Sequence, residues 1–314
     1  MLKIKKVKEL LKDISIKETC FDYDTSKLMS LKIGGRSFCF ITVESRDILL
    51  KLLGICMEND VGFEIIGDGT NILLNDDYLN IVFIRLGGEF DYIKFEKNGE
   101  IAVGAAYKMT KFVIKTAKLG YDFSFLGGIP GTIGGGVIGN SGDKNQGICN
   151  YISRVKYISG SKLEEEVINI KDCNYRYRHF YVPDLLVLTD VVLKADLLEK
   201  RAVLQKVRKR IKRKKLNQPV GTKNAGSFFK NLPGYPIPIG RMIEGCGLKN
   251  FHYGGAKVSG KHANFLENYK NATAKDILVL SKIIRDIIRE KFNKEVEYEV
   301  RMIGFENGQD IRKF

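Results

Sequence analysis

An α+β fold in two units is predicted from three observations. Strand-like and helical apolar patterns alternate over roughly the first 195 residues, two glycine-rich segments interrupt them, and near Leu197 a strongly basic helix opens a Gly/Pro-rich stretch. A chain of 314 residues has room for two or three domains, each with its own core. We place the first unit at residues 1–196, itself divided near 65/66, and the second at 197–314.

The N-terminal MLKIKKVKELLKDI sets Ile4, Val7, Leu11 and Ile14 at helical spacing among lysines. It lacks the apolar core of a signal peptide, and no apolar run reaches the ~20 residues that span a bilayer, so a cytoplasmic protein is expected. Residues 31–43 read as a strand interrupted by Gly34-Gly35, and DILLKLLGICMEND as a short helix. FEIIGDGTNILLND gives strand, turn, strand; IVFIRL and EIAVGAA continue the β pattern. A helix over 110–119 leads into the second glycine-rich segment, after which VKYIS, EEEVINI and LLVLTDVVLKA supply three strands. Beyond Leu197, a helix with Leu204, Val207 and Ile211 on one face carries KVRKRIKRKK (206–215). Another helix starts at Thr273, a suitable N-cap, with Ile277, Leu280, Ile284 and Ile287 on one side, before the strand EVEYEVRMIGF.

With 44% apolar residues the chain is globular, and its net charge of +15 suits an anionic partner of some kind. The basic run reads most simply as a solvated helix face. It contains no aromatic to stack on bases, and the chain has no tryptophan, so nucleic acid is not expected as a partner. Six cysteines without a C-x-x-C point to reduced, mostly buried thiols and to no metal site.

FLGGIPGTIGGGVIGNSG, from Phe125 to Gly142, holds eight glycines in eighteen residues, a density that suits close approach of backbone N–H groups to a ligand such as a diphosphate. A plain connector is the ordinary alternative. Gly134, Gly136 and Gly139 formally satisfy G-x-G-x-x-G, but the motif follows Gly-Gly-Ile-Pro-Gly instead of a buried strand, which excludes a Rossmann site. GTKNAGS (221–227) lacks the lysine of a P-loop. GDGTN (67–71) reads ordinarily as a hairpin turn, or else as a second set of donors for one extended dinucleotide. Two such loops outside a Rossmann frame suggest a flavin fold of another kind. NAGSFFKN sets Ser227 beside glycine and aromatics, where a loop serine making a turn hydrogen bond is the ordinary reading. YRYRHF places Arg176 and Arg178 on one side of an extended segment, suited to a carboxylate or phosphate. In 295–302, Val296, Tyr298, Val300 and Met302 alternate with Glu297, Glu299 and Arg301, which ordinarily form the solvated face.

Taken in order, IGDGTNILL, FLGGIPGTIGGGVIGNSG, AGSFFKN, GRMIEGCGLKN with HANFLEN, and EVRMIGF resemble the UDP-N-acetylenolpyruvoylglucosamine reductase family over most of the chain. The resemblance implies a vanillyl-alcohol-oxidase-type FAD-binding domain followed by an α+β substrate-binding domain. It implies FAD held by Gly67, Gly69, Thr70 and Asn71 of the first loop and by Gly128, Ile129, Pro130, Gly131, Thr132, Gly134, Gly135, Gly139 and Asn140 of the second. Neither loop contains His or Cys, so the FAD is expected to be noncovalent. By the same resemblance, Arg178 is the active-site arginine, Ser227 the general acid and Glu299 a second catalytic residue, while Tyr177, Lys215 and Asn231 contact the substrate. The implied reaction reduces UDP-N-acetylglucosamine enolpyruvate to UDP-N-acetylmuramate with NADPH, in peptidoglycan synthesis, by a monomer without membrane insertion. Another noncovalent FAD-dependent oxidoreductase of this fold is the alternative. The 49 positions from Arg178 to Ser227 leave no room for the extra capping loop of the larger subtype, and His179-Phe180 departs from the small residue and serine usual in the family.

Overall fold

The computed structural model describes residues 2–12, 14, 16, 18–143 and 146–305; the side chain of Ile4 and the C-terminal IRKF lie outside the described part. The chain begins with α1 (Leu2–Lys12), β1 (Glu18–Asp24), β2 (Arg36–Val43), α2 (Arg46–Glu58), β3 (Gly62–Ile65), β4 (Ile72–Leu74) and β5 (Leu79–Leu86). Four strands form a sheet in the order β1-β2-β5-β3, antiparallel only between β1 and β2. Ser45 caps α2 by accepting the Ile48 N–H at 3.3 Å, and Leu49, Leu52, Leu53 and Cys56, at helical spacing, share a core with Ile41 and Phe63. The strand expected over 31–43 begins only at Arg36. Gly35 donates to the Asn75 carbonyl, and a β-carbon there would lie 2.1 Å from the Asp76 carbonyl oxygen, so the preceding segment runs against the 75–77 loop and cannot join the ladder.

The next elements are β6 (Ile93–Phe95), β7 (Ile101–Gly104), α3 (Met109–Leu119), α4 (Ile133–Ile138), β8 (Ile152–Ser159), β9 (Glu165–Asn169), β10 (Asn174–Arg176), β11 (His179–Tyr181), β12 (Leu185–Leu193) and α5 (Lys200–Asn217). An antiparallel sheet, β6-β7-β12-β8-β9, has β12 near its centre, and the apolar run of β12 is buried almost throughout. Phe112 and Val113 of α3 share its core with Val203 and Val207 of α5. Thus α5 starts near the expected division at 197 yet lies on the first unit.

Two expectations fail in this region. The glycine-rich segment is not loop throughout: α4 forms despite a cost of about 0.5–1 kcal/mol for each helical glycine. Close packing explains it, since β-carbons at Gly134 and Gly136 would lie 2.9 Å from Ala105 Cβ and 2.3 Å from Met109 Cε. YRYRHF is not extended but folds into the β10–β11 hairpin, with Arg176 opposite His179 and Tyr177-Arg178 at the tip. Arg176 and Arg178 therefore do not share a face.

The chain continues with β13 (Asn224–Ser227), α6 (Ile239–Gly245), β14 (His252–Tyr253), β15 (Ala256–Val258), β16 (Phe265–Asn268), α7 (Ala274–Phe292) and β17 (Arg301–Ile303). The sheet β13-β16-β15-β14 shares a core with Ile277, Leu280, Ile284 and Ile288 of α7, which opens with a capping box between Thr273 and Asp276. Finally β17 returns to pair in parallel with β4, Met302 opposite Leu73. GDGTN is therefore no hairpin: β3 pairs with β5, whereas β4 pairs with β17. All six cysteines are free; Cys39, Cys56 and Cys149 are buried and the others half-buried. Among the described residues no helix is long and apolar enough to cross a membrane.

Candidate active site

The two glycine-bearing loops meet. A β-carbon at Gly67 would lie 2.7 Å from Thr132 Oγ1, and one at Gly131 would lie 3.3 Å from Thr70 Oγ1. The second loop is laid along residues 105–109 by three bonds: Met109 N–H to the Gly131 carbonyl (3.0 Å), Ile133 N–H to that of Tyr107 (2.9 Å) and Gly134 N–H to that of Ala105 (2.8 Å). Lys108 and Asp68 pair across the seam. Gly69 and Gly131 hold φ of +60° and +107°, which side-chain-bearing residues rarely adopt. The two loops thus pack closely against each other, and their glycines leave backbone N–H groups uncovered by β-carbons, which suits a dinucleotide gripped by both. Gly131→Val is expected to lower FAD content, read as the ratio of visible to ultraviolet absorbance; full occupancy in the folded variant would make the loop a connector.

Arg178 sits at the hairpin tip with φ +54°, a strained conformation for a long side chain. Its Nε donates to Glu299 Oε1 at 2.6 Å, joining residues 121 apart in sequence, and its Nη1 reaches the Asn140 carbonyl at 3.5 Å. Asn140 secures the tip, since its Nδ2 donates to the Arg176 carbonyl (2.9 Å) and its Oδ1 accepts the Cys149 N–H (3.1 Å). The Arg178 guanidinium also lies over the Tyr177 ring, 5.1 Å from its centre.

Glu299 is not on a solvated face. Its side chain is 14% exposed and that of Arg178 20%. Residues 295–300 do not form a ladder strand; they touch β13's extension through one bridge, Phe229 to Tyr298, so period-two alternation does not set their exposure. The Glu299 N–H donates to the Phe228 carbonyl (2.9 Å), and its own carbonyl accepts Asn71 Nδ2 (3.0 Å), which ties it to the first glycine loop. Burial raises its carboxyl above the usual carboxylate range, against the opposing pull of Arg178. Glu297, by contrast, is exposed and pairs with Lys230.

Ser227 ends β13 opposite Phe265, directly before Phe228. Its Oγ has no hydrogen-bond partner among the described residues. The strand is anchored by Ser30, whose Oγ donates to the carbonyls of Asn224 (2.7 Å) and Gly69 (3.1 Å). The Asn231 N–H reaches Tyr177 Oη at 3.4 Å, bringing two expected substrate residues together. Lys215 is exposed and joined to none of the other site residues; its carbonyl accepts Lys261 Nζ at 2.6 Å. The neighbouring Lys214, absent from the sequence reading, instead lies half-buried against Gly128. Its position one turn beyond Arg210 continues the Val203–Val207 stripe, a signal the sequence did contain.

Residues 38–161 match the family described as FAD binding domain, and residues 218–303 match UDP-N-acetylenolpyruvoylglucosamine reductase, C-terminal domain. The UDP-N-acetylenolpyruvoylglucosamine reductase of Orientia tsutsugamushi (strain Boryong) is 34% identical over 90% of this chain and 93% of its own length. That of the Wolbachia of Brugia malayi is 31% identical over 89% and 93%. The crystal structure of UDP-N-acetylenolpyruvylglucosamine reductase from Thermus caldophilus superposes with a TM-score of 0.77 at 28% identity, covering 91% of this chain and 98% of that one. The part matched as an FAD-binding domain accordingly has the vanillyl-alcohol-oxidase-type fold. On these matches, which run nearly end to end, the chain belongs to the UDP-N-acetylenolpyruvoylglucosamine reductase family.

Proposed function

We propose that this protein reduces UDP-N-acetylglucosamine enolpyruvate to UDP-N-acetylmuramate at the place where Arg178, Glu299 and Ser227 converge, with NADPH as reductant, as a cytoplasmic monomer. The observation that carries the reading is the Arg178–Glu299 pair, which joins the hairpin tip of the first unit to the last segment of the second, one hydrogen bond from Phe228 and so beside Ser227. Residues 1–196 form the FAD-binding part and 197–314 the substrate part, with α5 as the connecting element. The two glycine loops would hold FAD noncovalently, and the flavin bound there would supply the hydride chemistry that links NADPH to the substrate.

The residues of the chain do the rest. Reduction at the terminal carbon of the enolpyruvyl ether pushes negative charge onto the substrate carboxylate, and a guanidinium in a sheltered site stabilises that charge without reorganising solvent. Arg178 has this role. Glu299, drawn toward its protonated form by burial, hydrogen-bonds the same oxygens. Ser227 Oγ, otherwise unengaged, gives the proton to carbon 2. Tyr177, Asn231 and Lys215 receive the nucleotide end.

Anaerobic NADPH should bleach the yellow protein, and the enolpyruvyl substrate should restore the colour with formation of UDP-N-acetylmuramate. Bleaching without substrate-driven recovery would favour a different flavin-dependent oxidoreductase. Acid precipitation should leave all the FAD in solution, and flavin retained in the pellet would contradict noncovalent binding.

A further inference from the structure

The inner stripe of α5 begins apolar, at Val203 and Val207, and ends charged, at Arg210 and Lys214. Both cations lie on the glycine-rich loop. β-Carbons at Gly127 and Gly128 would be 3.6 Å from Arg210 Cδ and 3.1 Å from Lys214 Cδ. Arg210, 15% exposed, is paired with Asp143 at 3.0 Å, and its buried Nε meets no acceptor. Lys214 has no carboxylate within ion-pair distance among the described residues. The charges that face it are Arg210 and Arg213 from its own helix and Arg178 from the hairpin tip, opposed by Asp143, which Arg210 already engages. Burial first, and these three guanidiniums second, pull its ammonium down to about 8.

A sheltered cation surrounded by cations is the counterpart of a missing anion. We propose that Lys214 is an anion-binding residue of the active site, holding a carboxylate or phosphate oxygen of a bound reactant on the Gly128 side of Arg178. The inference rests on the reading given under Proposed function for the identity of the reactants. Three of these carry such oxygens: FAD, NADPH and the enolpyruvyl nucleotide. When the anion binds, it raises the affinity of Lys214 for its proton, so binding takes up a fraction of a proton near pH 8 and weakens as the pH rises further.

The test compares Lys214→Met, which keeps the stem and removes the charge, with Lys214→Arg, which stays charged at every working pH. FAD affinity is measured by fluorescence, NADPH by the concentration dependence of anaerobic bleaching, and the enolpyruvyl nucleotide by its KM. In Lys214→Met one of the three should weaken by about 10–100-fold, the worth of a charged hydrogen bond, and the one that does identifies the source of the anion. Lys214→Arg should restore that affinity and remove its decline above pH 8. Unchanged binding of all three in Lys214→Met overturns the proposal. Should that variant not fold, the pH profile decides, and identical alkaline profiles for wild type and Lys214→Arg overturn it equally. Failure of the wild type to turn over the enolpyruvyl nucleotide would count against the proposed reaction instead, because the FAD and NADPH measurements still test Lys214.

Discussion

In Ser227→Ala, NADPH should bleach the protein at the wild-type rate, while recovery of colour on adding the enolpyruvyl substrate slows by about 10²–10⁴-fold. The asymmetry follows from the proposed role. A group that protonates carbon 2 has no part in reduction by NADPH, and Ser227 Oγ supports no other side chain whose loss would disturb the flavin loops. The strand is held instead by Ser30 on the Asn224 and Gly69 carbonyls, contacts that the alanine leaves intact. Stopped-flow traces of the two half-reactions separate the cases. Equal slowing of both would mean that Ser227 shapes the flavin site, and slowing of neither would leave it a loop serine.

Arg178→Ala should cost the second half-reaction about 10²–10³-fold, the usual effect of removing one preorganised donor to developing negative charge. It also strands a buried carboxyl. Burial already raises Glu299, and Arg178 opposes this more strongly than Lys230 does, so its removal raises Glu299 further. The sign for stability is then fixed. A carboxyl whose folded pKa lies above its unfolded value stabilises the fold at low pH and loses that contribution as the pH rises through the folded value. The variant should therefore resemble wild type in Tm under acidic conditions and fall below it toward neutral pH. The loss approaches the lower end of about 3–5 kcal/mol expected for breaking an enclosed pair, because both side chains keep some exposure. A Tm difference independent of pH would mean that Glu299 titrates normally.

The sequence disclosed elements whose period is long and whose ends are marked. α7 with its Thr273 cap, α3 with Gly120 closing it, and the apolar run of β12 are of this kind. What escaped it was set by contacts distant in sequence. β1 carries acidic residues without clear alternation, and it is fixed by pairing to β2. The turn at Tyr177-Arg178 contains no glycine or asparagine; Asn140, through the Arg176 carbonyl, supports an arginine at positive φ there. Alternation over 295–302 suggested one wet face, but only Arg301–Ile303 finds a ladder partner, and Glu299, whose N–H donates to the Phe228 carbonyl, is largely enclosed. Glycine density pointed to a ligand loop, while the close approach to Ala105 and Met109 that makes part of it helical has no local signature. The roles of Ser227, Glu299 and Arg178 came from family resemblance; burial and pairing of the last two came only with the fold.

The most direct test of the account is a crystal structure of the FAD-loaded protein with the enolpyruvyl nucleotide bound. The substrate carboxylate is expected on the Arg178 guanidinium beside Glu299, with Ser227 Oγ facing carbon 2 and the nucleotide end toward Tyr177 and Asn231. An enolpyruvyl group bound away from the Arg178–Glu299 pair, with Ser227 Oγ turned from carbon 2, would contradict it.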